Sequence, residues 1–509
     1  MTDKPTIHRL KTGVPGLDEV LGGGLPEFSF NILAGPPGSG KTTLAHQMMF
    51  SLATPERPAI FFTVLGEPPL KMLRYQQQFG FFDAEKINRS IHFINLSDDM
   101  ATGDLDKVLA RIVATVELHG PGLVFVDSFR SMAIAGKDGE AKSFLSLQQF
   151  VQQLGMLMTS WQATTFLIGE YFSESDPNPV FTIADGLIWL RQSVDRNSVV
   201  RKLEVTKMRG QPSLPGKHTF RINSSGIQVF PPAQVVVQGD AVSSPPVGAP
   251  LGMGVPGLDE MMGGGLPRGY SLLVAGPSGS GKSILAAAFL AEGARQGETG
   301  VIASFEQRPK LSRNRIVADL VDRNAVGLVR PRESDLSVDE ITMLVMDEIR
   351  RLGATRVVLD SLSGFALMVA PTFQEDFRQS LYRMVTALAS TGVTVLMTSE
   401  LEDRYTDLRF SPYGAAFLTD AIIVQRYIEV DSRLLRMIGV VKVRAAAHSN
   451  ELREFIIDDD GIHIGAMLTE FQGLLGGRPK RRDEDDADAD DSNGDWAMAE
   501  VDSSVSDSS

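Results

Sequence analysis

The sequence predicts an α/β fold that is built twice along one chain. The stretch TGVPGLDEVLGGGLP at residues 12–26 returns as MGVPGLDEMMGGGLP at 253–267, and LAGPPGSGKTT at 33–43 returns as VAGPSGSGKSI at 274–284. In each copy, apolar strands such as LVFVD and RVVLD alternate with helical stretches. Apolar strands that alternate with helices are typical of a parallel sheet covered on both faces.

The spacing of the repeat predicts the domain organisation. Gly13 and Gly254 are 241 positions apart, as are Lys41 and Lys282, so the two copies keep register over about thirty residues. Residues 231–250 are rich in proline and small residues, which is typical of a linker. The predicted parts are a first domain (1–234), a linker (235–250), a second domain (251–475) and a disordered acidic tail (476–509).

Composition excludes several classes of protein. The 509 residues include no cysteine, which excludes disulfides and cysteine-based metal sites and fits a reducing cytoplasm. The first residues, MTDKPTIHRLKTG, lack the apolar core of a signal peptide, and no stretch approaches the roughly 18 apolar residues of a membrane helix. We therefore expect a cytoplasmic protein without a membrane partner.

The net charge of −14 is concentrated in the tail. Residues 483–509 hold eleven Asp and Glu and no Lys or Arg, which leaves −3 for the rest of the chain. A nearly neutral core offers no broad basic face, so we do not expect a nucleic-acid partner.

Each copy contains the phosphate-binding pattern G-x-x-x-x-G-K-[ST], known as the P-loop. Glycines let the loop wrap around an anion at the start of the following helix, the Lys reaches the β- and γ-phosphates, and the hydroxyl binds Mg²⁺. The pattern predicts ATP and Mg²⁺ as ligands. The predicted contacts are Gly35, Gly38, Ser39, Gly40, Lys41, Thr42 and Thr43 in the first copy, and Gly276, Gly279, Ser280, Gly281, Lys282, Ser283 and Ile284 in the second.

An acid at the end of a neighbouring strand would complete the Mg²⁺ site. Asp127 ends LVFVD and Asp360 ends RVVLD. We predict that these two carboxylates act with Thr42 and Ser283 in holding the metal. The alternative is that each Asp only caps the next turn.

A further acid follows another strand in each copy. Glu306 comes directly after VIASF, where a carboxylate would orient water toward the γ-phosphate. The offset of 241 places Leu65 and Gly66 at the positions of Glu306 and Gln307. Either a one-residue slip brings Glu67 to this place, or the first copy lacks the acid and turns over more slowly.

With both P-loops, PGLDEVLGGGLP and TDAIIVQRYIEV, the chain resembles the KaiC family of double RecA-like ATPases from about residue 8 to 475. The resemblance implies two tandem RecA-like P-loop domains, ATP hydrolysis, and a homohexamer with ATP at its subunit interfaces. It also implies that a Lys-x-Arg pair reaches the neighbour's nucleotide: Lys207 and Arg209 in the first copy, and Lys442 and Arg444 in the second. We also expect His448, which follows Arg444, to contact the nucleotide. The alternative is that these cations line a solvated edge strand.

A serine/threonine autokinase activity is also implied, but the usual acceptor pair is replaced by Ala416 and Phe417. Ser411, Tyr413 and Thr419 are the hydroxyls nearby. The leading hypothesis is an ATP-binding and ATP-hydrolysing ring protein that acts as a nucleotide-dependent switch. Autokinase activity and a regulatory protein partner are left open. Two alternatives remain: a DNA-dependent motor of the RecA or helicase type, and a nucleotide-gated scaffold with little catalysis.

Overall fold

A computed structural model describes most of the chain. It covers residues 7–64, 69–101, 104–128, 140–172, 180–195, 198–233, 248–305, 315–331, 336–369, 373, 377–401, 418–430, 432–474 and 480–481. The chain divides into two compact units: Met1–Ala241 with Pro331–Asp347 and Ala366–Ala387, and Val242–Arg330 with Glu348–Phe365 and Leu388–Ser509.

The first copy of the repeat contains eleven strands and seven α-helices within the described residues. In chain order these are β1 (Arg9–Leu10), α1 (Leu17–Val20), β2 (Leu25–Pro26), β3 (Phe30–Gly35), α2 (Lys41–Leu52), β4 (Ala59–Thr63), α3 (Pro69–Gln76), a 3-10 helix (Ala84–Lys86), β5 (Ile91–Asn95), α4 (Ser97–Ala101), α5 (Leu105–His119), β6 (Leu123–Asp127), α6 (Glu140–Ser160), β7 (Thr164–Glu170), α7 (Val180–Ile183), β8 (Gly186–Asp195), β9 (Ser198–Met208), β10 (Lys217–Asn223) and β11 (Gly226–Phe230).

The rest of the described chain repeats this alternation. Its elements are α8 (Pro256–Met261), β12 (Ser271–Gly276), α9 (Lys282–Arg295), β13 (Gly300–Ser304), α10 (Arg315–Asp322), β14 (Val326–Val329), α11 (Val338–Leu352), β15 (Arg356–Asp360), α12 (Leu362–Met368), α13 (Phe377–Ser390), β16 (Thr394–Glu400), β17 (Ala421–Val430), β18 (Arg433–Val443), β19 (Leu452–Asp458), β20 (Gly461–Met467), β21 (Phe471–Gln472) and β22 (Lys480–Arg481).

Each unit is built on one nine-stranded sheet, and the two sheets have the same strand order. The first runs β5-β4-β6-β7-β3-β8-β9-β10-β11 and the second β14-β13-β15-β16-β12-β17-β18-β19-β20. In the first sheet, neighbouring strands pair in parallel along β5-β4-β6-β7-β3-β8. The remaining strands, β9, β10 and β11, are added by antiparallel pairing next to β8. The predicted fold class, two tandem RecA-like α/β domains with parallel sheet cores, is confirmed.

The sheet of the first unit is covered on both faces. Alternate residues of its strands point to opposite faces. Leu33 and Phe61 belong to one apolar cluster with α2, while Ile32 and Ile60 belong to a second cluster with α5 and α6. Burial on both faces explains why the strands are uniformly apolar rather than alternating.

One buried cation stabilises the second sheet at the start of β15. The Arg356 side chain is fully buried, and its Nε donates to Glu298 Oε2 at 2.7 Å. Its Nη1 donates to the carbonyl oxygens of Gly252 and Phe289, each at 2.8 Å. These contacts join β15 to α9 and to the entry segment of the repeat.

No helix in the described part of the chain is both long and apolar enough to cross a membrane.

His46 lies inside the first unit, one turn beyond the P-loop. It is fully buried on α2, and its ring centroid is 4.5 Å from that of Phe61 and 6.1 Å from that of Phe93. Burial lowers the pKa of the imidazole to about 3, and Gln76 acts weakly in the opposite direction. His46 is therefore neutral in the folded protein at every pH above that value.

His46 predicts a pH dependence of stability. Below pH 6.5 the unfolded chain binds a proton at His46 that the folded chain cannot bind, so the free energy of unfolding falls as pH falls toward 3. Between pH 7 and pH 5.5, the variant His46→Leu should lose about 1 kcal/mol less stability than the parent. Urea unfolding followed by the fluorescence of buried Trp189 measures this. His8→Leu, at an exposed position, is the control, and an identical pH dependence in His46→Leu and parent would contradict the prediction.

Candidate functional site

The P-loop of the first copy joins β3 to α2 at the carboxyl end of the sheet. β3 ends at Gly35, and α2 begins at Lys41 behind a left-handed Gly40 with φ of 101°. Gly38 is also left-handed, with φ of 74°. These conformations suit glycine and leave backbone N–H groups at a helix start, where anions bind.

Two P-loop glycines lie too close to neighbouring backbone to carry a side chain. A Cβ at Gly35 would lie 2.1 Å from the carbonyl oxygen of Leu190. At Gly276, in the second copy, a Cβ would lie 2.7 Å from Ser280 Oγ and 2.9 Å from the carbonyl oxygen of Gln425.

The P-loop lysine folds back onto the start of its own loop in both copies. Lys41 Nζ donates to the carbonyl oxygen of Pro36 at 2.8 Å, and Lys282 Nζ donates to those of Gly276 and Pro277 at 2.9 and 2.7 Å.

The predicted metal-binding groups of the first copy lie together. Thr42 Oγ1 donates to Asp127 Oδ2 at 2.8 Å. A hydroxyl and a carboxylate are hard oxygen donors, the type that Mg²⁺ prefers, so this pair fits the cation. Sequence reasoning placed the two groups in one site although they are far apart along the chain.

The second copy has the same frame with different polar contacts. Asp360 is buried and accepts a hydrogen bond from Thr398 Oγ1, where the first copy has Ile168 in the corresponding strand position. Ser283 is exposed at the start of α9. Ser280 Oγ donates to Gln425 Oε1 at 3.0 Å, whereas Ser39 Oγ has no hydrogen-bond partner among the described residues.

Two glutamates at the P-loop edge of the sheets were not among the site residues predicted from the sequence. β7 ends at Glu170, which pairs in register with Gly35, and β16 ends at Glu400, which pairs in register with Gly276. In the sequence, TTFLIGE in the first copy and VTVLMTSE in the second are similar apolar strands that both end in an acid, and this shared ending was the available signal. Their closeness to the P-loop depends on strand order, which the sequence does not state.

These groups surround a cavity of about 350 Å³ in the first copy. Among the described residues, the charged ones that line it are Lys41, Asp127 and Glu170. The described lining consists of Gly38, Gly40, Lys41, Thr42, Thr43, Thr63, Met72, Asp127, Ser128, Glu170 and Ile222. The P-loop, Asp127 and Glu170 therefore face one cavity.

Equivalent groups shift the pKa of the P-loop lysine in the two copies. Burial lowers the pKa of the Lys41 amine, while Glu170 and then Asp127 raise it. Burial likewise lowers the pKa of Lys282, and Glu400 and then Asp360 raise it. Each lysine lies in the field of two carboxylates, with the strand-end glutamate the stronger influence.

The predicted Lys-x-Arg cations lie away from the P-loop of their own copy. Lys207 pairs with Leu187 on β8, which is level with Ile32 on β3, three residues before Gly35. That places Lys207 roughly 10 Å back along the sheet and two strands across from the P-loop.

The hydrogen bonds of these cations also point away from the P-loop. Lys207 Nζ donates to the carbonyl oxygen of Thr182 at 2.9 Å, and Arg209 Nη1 donates to Asp185 at 3.2 Å.

The second copy repeats this placement. Lys442 pairs with Ile422, which is level with Leu273, again three residues before the end of the P-loop strand. Arg444 Nη1 donates to Asp420 Oδ1 at 3.3 Å. His448 Nδ1 is 3.1 Å from the carbonyl oxygen of Ser449. Lys207 and Lys442 therefore lie equally far back along the sheet from the P-loop of their own copy.

The two remaining acids, Glu67 and Glu306, lie outside the described residues. The strands that lead to them match. The Val64 N–H donates to the carbonyl oxygen of Asp127 at 2.8 Å, and the Phe305 N–H donates to that of Asp360 at 2.9 Å. The offset of 241 therefore holds up to Val64 and Phe305, one residue before Glu306.

Comparison with known proteins gives a consistent result. The family model described as "ATPase: KaiC" matches residues 10–234 and 251–468. The chain is 27% identical over 493 residues to the circadian clock oscillator protein KaiC of Rippkaea orientalis, which covers 93% of this chain and 92% of that protein. It is 26% identical over 494 residues to KaiC 1 of Synechocystis sp., with 93% and 92% covered. It is 24% identical over 494 residues to KaiC of Synechococcus elongatus, with 94% and 93% covered.

The family model matches most of the chain and recurs in both copies, as the two P-loops and the two equivalent sheets do. The resemblance inferred from the motifs is confirmed, and the chain belongs to the KaiC family of ATPases.

Proposed function

We propose that this protein binds Mg–ATP in both copies and hydrolyses it to ADP and phosphate. The observation that carries the proposal is a recurring geometry. In each sheet the P-loop strand ends beside an acid-ending strand, and the P-loop lysine lies in the field of two carboxylates. Family membership supports the same conclusion.

In this proposal, different groups of residues hold the metal, hold the phosphates and orient the attacking water. Bound Mg²⁺ supplies charge neutralisation for the phosphates. Thr42 with Asp127, and Ser283 with Asp360, hold the metal, while the glycine-rich loops and Lys41 or Lys282 hold the phosphates. Thr43 and Ile284 line the start of the following helices. Glu306 orients the attacking water in the second copy, and Glu67 does so in the first if the turn slips by one residue.

The active form that we propose is a homohexameric ring with nucleotide at the subunit interfaces. Lys207, Arg209, Lys442 and Arg444 would act on the nucleotide of the neighbouring subunit, and His448 would contact it there. Their placement supports this assignment, because Lys207 and Lys442 lie two strands across and roughly 10 Å back along the sheet from the P-loop of their own copy. Cations supplied in trans stabilise the charge that builds up on the transferred phosphoryl group.

Hydrolysis rather than autophosphorylation is the reaction that we propose. A kinase needs an accessible hydroxyl, and Thr419 is fully buried. Ala416 and Phe417 have no hydroxyl. These two residues, with Ser411 and Tyr413, lie outside the described part of the chain.

The biological role that we propose is a nucleotide-dependent switch in the cytoplasm that is read by a regulatory protein. The cysteine-free sequence supports the location. The proposed domains are 1–234 and 251–475, joined by 235–250 and followed by the tail 476–509, and the two family matches support these boundaries. The linker apart from 248–250 and the tail apart from 480–481 lie outside the described residues.

Nucleotide binding tests the proposal directly. Lys41→Ala and Lys282→Ala should each remove about one of two bound ATP molecules per chain, and the double variant should bind none, because each ammonium is the main cation of its P-loop. Equilibrium binding of labelled ATP with Mg²⁺ measures the stoichiometry. Lys107→Ala, at an exposed site, is the control. Undiminished binding by the double variant would overturn the proposal.

Turnover tests Glu306 in a Lys41→Ala background, which reports the second copy. Glu306→Gln should lower the ATP hydrolysis rate on the order of a hundredfold with ATP still bound, because the water loses its orienting base. Glu429→Gln is the matched control, since Glu429 is exposed. If Glu306→Gln hydrolyses ATP as fast as its parent, the role assigned to Glu306 is wrong.

Mixing two inactive variants tests catalysis in trans at the first-copy site. Both chains carry Lys282→Ala, so that only the first-copy site is measured. A chain that also carries Lys41→Ala and a chain that also carries Arg209→Ala should each be inactive alone. An equal mixture should recover about a quarter of the rate of the Lys282→Ala parent, because about one interface in four then combines an intact P-loop with an intact Arg209. Arg209→Ala mixed with a Lys41→Ala/Arg209→Ala chain should recover nothing. Recovery no greater than this control, or full activity of Arg209→Ala alone, would exclude the trans arrangement.

A further inference from the structure

Glu170 and Glu400 occupy equivalent places in the two sheets. Each is the last residue of the strand between the P-loop strand and the strand that ends in the metal-binding Asp. Each also pairs in register with the first glycine of its P-loop. The carboxyl ends of parallel strands meet at one edge, so both glutamates lie at the entrance of the phosphate-binding loop.

This placement persists although the chain between the motifs differs in length. The two P-loop lysines are 241 positions apart, the two aspartates 233, and the two glutamates 230. Segments between the strands have therefore gained or lost residues in one copy relative to the other. The sheet nevertheless brings a glutamate to the same register position in both.

The P-loop lysine and the glutamate meet at the same level of the sheet. Lys282 Nζ donates to the carbonyl oxygen of Gly276, the residue that pairs with Glu400. In the first copy, Lys41 and Glu170 line the same cavity. A carboxylate at this position attracts the ammonium group toward the start of the loop.

The two acids of the first site lie in different positions relative to the P-loop strand. Asp127 ends β6 and accepts the hydrogen bond of Thr42 Oγ1. Glu170 ends β7, which lies between β6 and the P-loop strand β3. Since Glu170 and Lys41 line one cavity, the negative charge of Glu170 acts on the lysine and on any anion beside it.

On the basis of the function proposed above, we propose that Glu170 and Glu400 are positioning residues that set nucleotide affinity. Each carboxylate draws the P-loop lysine to the start of its loop and competes with the nucleotide phosphates for that ammonium group. It also repels the phosphates directly, since both carry negative charge. Each site therefore binds nucleotide less tightly than its P-loop alone would, which favours release of the product ADP.

Equilibrium binding of fluorescent ADP with Mg²⁺ to the full chain tests this inference. Glu170→Gln in a Lys282→Ala background, which isolates the first site, should tighten ADP binding on the order of tenfold, because the amide keeps the size and removes the charge. Glu170→Asp, which retains the charge, should bind ADP like its parent. Asp127→Asn, at the other acid of the same cavity, should shift affinity the opposite way and weaken Mg–ADP binding. Glu400→Gln in a Lys41→Ala background gives an independent repetition in the second copy.

The outcomes separate the inference from the proposed function. Unchanged or weaker ADP binding by both Gln variants, with normal binding by their parents, would overturn this inference alone. A collapse of kcat at unchanged affinity would also overturn it, because it would make the glutamate a catalytic group. If the parents bind no ADP, the proposed function fails and this inference fails with it.

Discussion

The register of the P-loop strand against its neighbours is the constraint on which the site depends. β3 and β12 lie inside their sheets with a parallel strand on each side. Because neighbouring parallel strands end at one edge, that pairing decides which residues meet a bound phosphate. A shift by one residue would turn every side chain of a strand to the opposite face and would separate Asp127 from Thr42. Burial on both faces makes such a shift costly.

The two copies place the same groups in the same frame but surround them differently. In the first, Asp127, a proposed metal ligand, accepts a hydrogen bond from the P-loop hydroxyl of Thr42. In the second, Asp360 is buried and bonded to Thr398. A hydroxyl that donates to a carboxylate changes how tightly that carboxylate holds a cation. Duplication thus supplied two equivalent frames, and single side chains on the strands made their polar surroundings unequal.

The two Lys-x-Arg pairs lie too far from the P-loops of their own copies to complete those sites. Lys207 and Lys442 lie toward the end of the sheet opposite the P-loops, and Arg209 and Arg444 follow them in the chain. A site that draws its transition-state cations from this position cannot be completed within one copy. Under the proposed function, assembly and catalysis are then coupled, because a neighbouring subunit contributes part of the chemistry. The strand-end glutamates would act in the other direction, by limiting how tightly each site retains its nucleotide.

The sequence by itself determined the duplication, the α/β class, the two P-loops and the strand-end aspartates. These features are local, since left-handed glycines, a helix start and an apolar run ending in an acid are each encoded by neighbouring residues. Only the tertiary structure decided that Glu170 and Glu400 lie beside the P-loops and that the Lys-x-Arg pairs lie far from them. Those relations depend on strand order and register, which join residues far apart in the chain through backbone hydrogen bonds that no local pattern specifies.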